Sequence, residues 1–351
     1  MTVAYGSVAE PADLEPGRPP SARGPLTEWL FSVLDRPVHA VVRPRGAPGD
    51  PLTDEDAALA LYALYELHYR GFEGVDEEWE WEPSLLAVRR DLEDAQLAGL
   101  RAAVGGDDGP NDVVAGLYAM ADGAGGRSLS AFLAVEGTLE QMREFAVHRS
   151  AYQLKEADPH TWAIPRLVGS AKAAMVEVQA DEYGEGRERD MHQNLFALTM
   201  KALGLDCRYG AYLDVLPAPT LAAVNVISFF GLHRRWRGAL VGHLALFEMT
   251  SVEPMGRYSQ ALRRLGFGPG ARHFFEVHVV ADAHHERVAA RDLAGGLAAQ
   301  DPRLSGDILF GARSAMAAEG AVSDALLDAW QQGRTSLRAP LSTTATAGPP
   351  A

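Results

Sequence analysis

The chain contains one cysteine, Cys207, in 351 residues. Disulfide frameworks need paired cysteines, and thiolate-based zinc or iron–sulfur sites need several, so the sequence excludes both. Basic residues are also scarce, since 32 Lys and Arg stand against 47 Asp and Glu and leave a net charge of −15. Because duplex nucleic acid is bound by a basic face, this acidity argues against a nucleic-acid partner.

Long apolar runs are missing as well. The longest, from Leu221 to Leu232, is interrupted by Asn225 and Ser228 and is too short to span a bilayer. The first ten residues have neither the basic nor the apolar region of a signal peptide. We therefore expect a cytoplasmic protein with no membrane partner.

Several sequence patterns of other protein classes are absent. There is no Gly-rich phosphate loop, no His-Glu-x-x-His motif of zinc proteases and no Glu-x-x-His pair of the ferritin-like diiron proteins. No alternation of apolar and polar residues is long enough to build a sheet. The apolar periodicity that remains is helical, so we expect an all-α fold whose functional side chains project inward from facing helices.

The chain divides into four parts. Residues 1–25, which are rich in Pro, Gly and Ala, are expected to be a disordered arm, and residues 339–351 a disordered tail. Residues 26–103 are expected to form a helical arm, and a Gly- and Asp-rich loop separates this arm from a helical core over residues 113–338.

The helical arm is rich in aromatic residues, as protein interfaces often are. We expect the arm to pack on the core or on a second copy of the chain, which would make the protein a homodimer. The residues on which this prediction rests are Tyr62, Tyr65, His68, Tyr69, Phe72, Trp79 and Trp81.

The most informative motif comprises His278, Asp282 and His285, with the spacing H-x3-D-x2-H. At about 100° per residue, these three side chains share one narrow stripe of a helix, whereas His284 points away from it. Two imidazoles and one carboxylate suit iron or manganese better than a structural zinc ion. The alternative is a solvated helix face that happens to carry histidines.

Two further sites could supply carboxylates to the same centre. Glu248 lies in an apolar helix, where an ionised carboxylate is costly unless a cation or a nearby arginine compensates it. Glu182 and His192 are ten residues apart, or about 15 Å along an ideal helix. Gly184 and Gly186 lie between them and favour a bulge or frayed turn that would change this span.

In this order, the residues resemble those of the heme-oxygenase-like diiron oxidases and oxygenases, in particular the bacterial iron-containing redox enzymes that include N-oxygenases. That family carries a Glu, a second Glu ten residues before a His, an isolated Glu, and an H-x3-D-x2-H helix. The resemblance covers roughly residues 113–338 and implies a heme-oxygenase-like helical bundle. It implies these metal ligands: Glu156, Glu182, His192, Glu248, His278, Asp282 and His285.

Of these residues, Glu156 is not singled out by its local chemistry, because it could equally pair with Lys155 or Arg149 on the surface. Glu182 is the carboxylate that amine-oxygenating relatives carry and simpler members can lack, although other acidic residues close by compete for the role.

The resemblance implies a non-heme iron oxidoreductase with two Fe(II) ions per chain and O2 as co-substrate. Its substrate would be a small organic molecule, with N-oxygenation of an amine or amino acid as one outcome, and its electron donor is not identified by the sequence. Two alternatives stay open. One is a mononuclear iron enzyme that uses only His278, Asp282 and His285. The other is a non-catalytic protein of the same fold that binds a small molecule.

Aromatic residues near Glu248 could line a substrate pocket, although ordinary core packing explains such residues equally well. Three neighbouring arginines could bind a substrate carboxylate or could face solvent. The aromatic residues are Phe229, Phe230, Trp236 and Phe247, and the arginines are Arg234, Arg235 and Arg237.

Overall fold

The computed structural model describes residues 16–105, 112–123 and 126–341. Within these ranges every regular element is a helix and none is a strand, which confirms the predicted all-α fold. Three helices belong to the predicted arm: α1 (Pro25–Leu34), α2 (Glu55–Glu66) and α3 (Pro83–Val104).

The predicted core contains the remaining helices. In chain order they are α4 (Val113–Asp122), α5 (Leu129–Val135), α6 (Leu139–Gln153), α7 (Asp158–Thr161), α8 (Gly169–Glu182), α9 (His192–Ala202), α10 (Ala218–Leu232), α11 (Arg237–Thr250), α12 (Val252–Arg264), α13 (Pro269–Arg287), α14 (Gly296–Gln300) and α15 (Ser305–Gln331). Short 3₁₀ turns lie at Glu77–Trp81, Ile164–Arg166, Gly184–Gly186, Glu188–Asp190, Arg234–Trp236 and Pro302–Leu304, and a π-helical segment at Val288–Gly295.

Local sequence signals explain how the helices near the site begin and end. Thr138 and Gln141 form a capping box at the start of α6, where each side chain accepts a hydrogen bond from the other residue's backbone N–H. Helix α13 begins at Pro269, whose fixed φ suits a first helical turn. It continues directly into the π-helical segment, a widened turn of a kind often found near functional sites.

Helices α11 and α15 approach each other more closely than side chains would allow. A Cβ at Gly242 of α11 would lie 1.8 Å from the Ile308 carbonyl oxygen, and one at Gly311 of α15 would lie 2.0 Å from the Ala239 carbonyl oxygen. Only glycine fits at these two positions. This contact fixes α11, which carries Glu248, against the longest helix that the structure describes.

The arm and the core share one hydrophobic core. Helix α2 packs on α10, and its Leu61 belongs to the same buried cluster as Leu221 and Leu240. Most of the arm's aromatic residues are therefore buried within the chain, and Trp81, which is 66% exposed, is the clear exception. These contacts account for the aromatic composition of the arm, and the homodimer stays a prediction.

The chain ends lie partly outside the described residues. Of the predicted disordered arm (1–25), residues 1–15 fall there, as do residues 342–351 of the predicted tail. Residues 16–24 precede α1 and make defined contacts: the Arg23 guanidinium lies 2.6 Å from Glu55, and the Ser21 amide donates to Asp214 at 2.6 Å.

No helix in the described ranges combines the length and the apolar content that crossing a membrane requires. The apolar run Leu221–Leu232 lies inside α10, buried against α2 and α15. The cytoplasmic location stays a prediction.

Candidate metal centre

Helix α13 places His278, Asp282 and His285 on its buried face, as the spacing predicts. His284 points to the surface instead, where its Nε2 lies 3.0 Å from Glu177. The alternative of a solvated histidine face is therefore wrong for the three motif residues.

A first cluster contains Glu156, Glu182, His192 and His278, all buried, with one candidate ligand atom from each within 4.8 Å of the others. The His192 Nδ1 atom lies 2.9 Å from the Glu182 Oε2 atom. The His278 Nε2 atom lies 3.6 Å from the Glu156 Oε1 atom. Two imidazoles and two carboxylates from four separate segments thus meet at one point.

A second cluster contains Glu248, Asp282 and His285, also buried and also within 4.8 Å of one another. The His285 Nδ1 atom lies 3.4 Å from the Glu248 Oε2 atom and 3.9 Å from the Asp282 Oδ1 atom. The structure therefore brings all seven predicted residues together, as two groups that share α13.

The predicted interruption between Glu182 and His192 is confirmed. Helix α8 ends at Glu182 and α9 begins at His192, with two 3₁₀ turns between them. Gly184 and Gly186 have φ angles of 60° and 76°, in the left-handed region that glycine favours. The chain folds back at these glycines, so the two side chains meet instead of lying a long helical span apart.

Glu156 lies in the turn between α6 and α7, just beyond the helix end at Gln153. The two basic residues that could have held it at the surface have other partners. Lys155 pairs with Glu66 at 2.9 Å, and Arg149 pairs with Glu319 at 2.7 Å. This leaves the buried Glu156 carboxylate directed at His278.

Neighbouring groups orient the candidate ligands. The Nδ1 atom of His278 lies 2.7 Å from the Phe274 carbonyl oxygen, which can only accept a hydrogen bond, so Nε2 keeps a lone pair for the cluster. The Nε2 atom of His285 lies 2.9 Å from an Asp181 carboxylate oxygen, which leaves Nδ1 facing Glu248. The Ser251 hydroxyl donates to the Asp282 carboxylate.

Sequence reasoning did not find these supporting residues. Asp181 and Ser251 are polar residues beside candidate ligands, and no spacing pattern distinguishes them from surface positions. The acidic residues that competed with Glu182 lie on the surface: Glu177 pairs with His284, whereas Glu185 and Asp190 pair with Arg187.

Burial and mutual repulsion raise the pKa values of three carboxyl groups in the clusters. Burial is the main cause for Glu156 and Glu248. Burial, followed by the charge of Glu248, raises the pKa of Asp282 to about 7. Carboxylates crowded in this way need positive charge beside them to stay ionised.

The neighbouring imidazoles also affect the pKa of one carboxyl group in the clusters. Burial alone would raise the pKa of Glu182, but the neighbouring imidazoles, His192 foremost, outweigh it and lower that pKa to about 2. Burial would lower the pKa of His285, but Glu248 outweighs burial and raises it to about 9. His278 and His285 both act on Glu182, which places this carboxylate within electrostatic reach of both clusters.

The donor set fits metal ions. Six buried atoms that face the clusters have no hydrogen-bond partner among the described residues, although buried polar atoms are normally paired. His192 Nδ1 and Glu182 Oε2 are close, but they do not adopt hydrogen-bond geometry. The six atoms are Glu182 Oε2, His192 Nδ1, Glu248 Oε2, His278 Nε2, Asp282 Oδ1 and His285 Nδ1.

A cavity of about 350 Å³ opens onto both clusters. Glu156 and His278 of the first cluster and Glu248 and Asp282 of the second line its wall. Its volume lies in the range of small-molecule pockets.

The predicted pocket residues are corrected in part. Phe247 lines the cavity, but Phe229, Phe230 and Trp236 pack on one another in the core, where Phe230 and Trp236 also contact Phe310. Of the three predicted arginines, Arg235 pairs with Asp307 and Arg237 with Asp301, and none of the three lines the cavity. The arginines that line it are Arg127 and Arg149, and sequence reasoning considered Arg149 only as a partner of Glu156.

Comparison with known proteins agrees with this geometry. A sequence profile described as "Iron-containing redox enzyme" matches residues 143–320, about half of the chain, and this range contains all seven candidate ligands. The chain is also similar to nitrosourea synthase from Streptomyces achromogenes subsp. streptozoticus, with 27% identity over 136 residues. That match covers 39% of this chain and 29% of the relative, so the chain spans less than a third of the relative's length.

Proposed function

Because this chain belongs to the heme-oxygenase-like family of iron-containing redox enzymes, we propose that it is a non-heme diiron enzyme that uses O2 to oxidise a small organic substrate. Family membership makes it an iron oxidoreductase. The observation that carries the finer proposal is the division of seven buried ligand residues into two clusters along one cavity.

Charge supports two iron ions. Two Fe(II) ions carry four positive charges, and the clusters hold four carboxylates: Glu156 and Glu182 in the first, Glu248 and Asp282 in the second. A balanced buried site avoids the cost of uncompensated charge. Imidazole and carboxylate donors together suit iron. Bound Fe(II) would bind O2 and supply electrons for the reduction of O2.

The chain's own residues prepare the site for such chemistry. The Phe274 carbonyl holds the His278 ring in one orientation with Nε2 directed at the cluster, and Asp181 does the same for His285 through its Nε2. Phe247 and Phe275 form an apolar part of the cavity wall. An apolar wall keeps water away from reactive groups and holds the hydrocarbon part of a substrate.

We further propose N-oxygenation of an amine or amino acid as the reaction. Two observations support it. Glu182, the additional carboxylate of amine-oxygenating relatives, lies inside the first cluster. The chain also resembles an enzyme named for making a nitrosourea, although over less than a third of that enzyme's length.

The geometry disfavours the mononuclear alternative. That alternative needs His278, Asp282 and His285 around one ion, but His278 groups with Glu156, whereas Asp282 and His285 group with Glu248. Iron content per chain, measured after anaerobic loading of metal-free protein with Fe(II), distinguishes the diiron proposal from its two alternatives. Two irons support the diiron proposal, one supports a mononuclear site, and none supports a non-catalytic binding protein.

A substitution pair tests the assignment of ligands. We expect Asp282→Ala to lose iron and the O2 consumption of the loaded protein, because its removal leaves positive charge undercompensated. His284→Ala is the matched control, since His284 lies on the same helix but faces the surface. Thermal unfolding of both metal-free variants should show intact folds. Two irons per chain in Asp282→Ala would refute its role.

A further inference from the structure

The cavity wall carries a charged pair that the proposed metal chemistry does not use. Arg149 of α6 and Glu319 of α15 both line the cavity, and Arg149 Nη2 lies 2.7 Å from Glu319 Oε2. Their side chains are 19% and 26% exposed. Tyr258 of α12 also lines the cavity. Two helices, α6 and α15, thus hold one ion pair at the wall.

Stability alone does not explain such a pair. Replacing a largely buried ion pair by apolar residues is often neutral or stabilising, because desolvation offsets the attraction between the charges. Arg149 nevertheless remains charged: burial would lower its pKa, but the neighbouring Glu319 outweighs that effect and raises it. A guanidinium group has five N–H donors and can serve a second acceptor besides Glu319.

Gly320, the residue after Glu319, also lines the cavity. It lies within the long helix α15 and is exposed, and a Cβ at this position would meet no atom within 4 Å. The helix therefore places no side chain into the cavity at this position.

We propose that Arg149 and Glu319 are specificity-determining residues that bind a zwitterionic head group of the substrate, with an anion and a cation on neighbouring atoms. A carboxylate would bind Arg149 and an ammonium group would bind Glu319. A ligand with only one charge would satisfy one partner and leave the other less well paired in a largely buried position. The proposal rests on the proposed function only in requiring that the rest of the substrate extend toward the clusters.

Part of the cavity wall suits an apolar chain. Phe145, Phe247, Met255 and Phe275 line the cavity together with the pair and the candidate ligands. We therefore infer an amphiphilic substrate with a zwitterionic head at Arg149 and Glu319 and a hydrocarbon part along these residues. For N-oxygenation, the nitrogen that is oxidised would be a second one, carried by the end of the substrate that extends toward the clusters.

Binding of three matched probes tests this inference. L-Norleucine, hexanoate and hexylamine share a six-carbon chain and carry a zwitterionic, an anionic and a cationic head. Calorimetry on the full chain, loaded with Fe(II) under anaerobic conditions, should show norleucine binding at least about tenfold more tightly than either other probe. If norleucine binds no more tightly than hexanoate or hexylamine, the proposal is wrong.

Variants assign the selectivity to the pair. Arg149→Met and Glu319→Gln should each weaken norleucine binding by about tenfold or more. The double variant Arg149→Met/Glu319→Met removes both charges together, which protects the fold, and should lose the preference for norleucine. Arg127→Met is the matched control, because Arg127 also lines the cavity but pairs with Asp328. Unchanged norleucine binding in the double variant would overturn the proposal.

The test separates this inference from the diiron proposal. Iron content is measured on the same samples, and the probe titrations are repeated on metal-free protein. A chain without iron that still selects norleucine would refute the diiron proposal and support the charged-pair assignment. A chain that binds two irons but shows no preference for norleucine would support the diiron proposal and refute the charged-pair assignment.

Discussion

At the scale of single residues, His148 shows how burial acts on an imidazole outside the metal clusters. Its Nδ1 lies 2.6 Å from the Thr220 hydroxyl and its Nε2 lies 3.0 Å from the Ser336 hydroxyl. Burial, together with the charge of Arg149, lowers the pKa of His148 to about 3. An imidazole in the unfolded chain keeps a pKa of about 6.5, so the two states bind different numbers of protons between these values.

This difference predicts a pH-dependent stability. As the pH falls below about 6.5, the unfolded state gains a proton that the folded state does not, so the free energy of unfolding decreases. Between pH 7 and pH 5 we expect wild type to lose about 2 kcal/mol more than His148→Gln. Denaturant titrations of both metal-free proteins at both pH values measure this, because other titrating groups largely cancel. Equal losses would contradict the account.

Residues differed in how well the sequence predicted them. The helical period alone placed His278, Asp282 and His285 on one face. Glu156 could be reached only through the family resemblance, because it lies in a turn that has no periodic pattern. Arg149 was missed as a cavity residue because its partner, Glu319, lies 170 positions later in the chain and only the tertiary fold brings the two together.

At the scale of secondary structure, the segment between α8 and α9 controls the first cluster. It must reverse the chain within nine residues so that Glu182 and His192 meet. Gly184 has φ 60°, and a Cβ there would lie 2.5 Å from the Met191 backbone nitrogen. Gly186 has φ 76°, but a Cβ there would meet nothing within 4 Å. The two glycines therefore face different constraints.

Alanine substitutions at the two glycines should differ accordingly. Gly186→Ala adds only the strain of a left-handed residue, about 1 kcal/mol, and should keep normal iron content. Gly184→Ala adds the backbone clash, so it should destabilise the chain further and displace His192 from Glu182. Denaturant titration and iron analysis of both variants provide the measurement. Iron loss that is equal in the two variants, or absent from both, would argue against this role for the turn.

The sequence predicted the helices better than it predicted the course of the chain between them. Apolar periodicity indicated the helices of the arm and the core, and the two glycines indicated a break in the α8–α9 region. The direction of the reversal was not predictable, because it depends on left-handed glycine conformations and on packing against α13. The close contact of α11 with α15 was not predictable either, because an isolated glycine in a helix does not indicate which other helix packs against it.

At the scale of the whole molecule, a buried ion pair joins the arm to the metal centre. Glu66 at the end of α2 lies 2.9 Å from Lys155, and both side chains are 1% exposed. The Tyr209 hydroxyl also donates to Glu66, at 2.7 Å. Lys155 immediately precedes Glu156, so the position of this candidate ligand depends on a helix of the arm.

We therefore expect Glu66→Ala to destabilise the chain by about 3–5 kcal/mol, because it leaves the Lys155 ammonium group buried and unpaired. The same variant should bind less iron, since the turn that carries Glu156 loosens. Glu73→Ala, which removes an exposed partner of Arg18, is the control and should change neither property. Denaturant unfolding of both variants measures the change in stability, and iron analysis measures the change in iron binding. Wild-type stability in Glu66→Ala would show that the arm does not support the site.

The central claim is that two iron ions lie in the two clusters of this one chain. Anomalous diffraction at the iron edge, from crystals of protein loaded anaerobically with Fe(II), tests it most directly. We predict two iron peaks: one enclosed by Glu156, Glu182, His192 and His278, and one by Glu248, Asp282 and His285. A single peak, no peak, or peaks outside these residues would contradict the account.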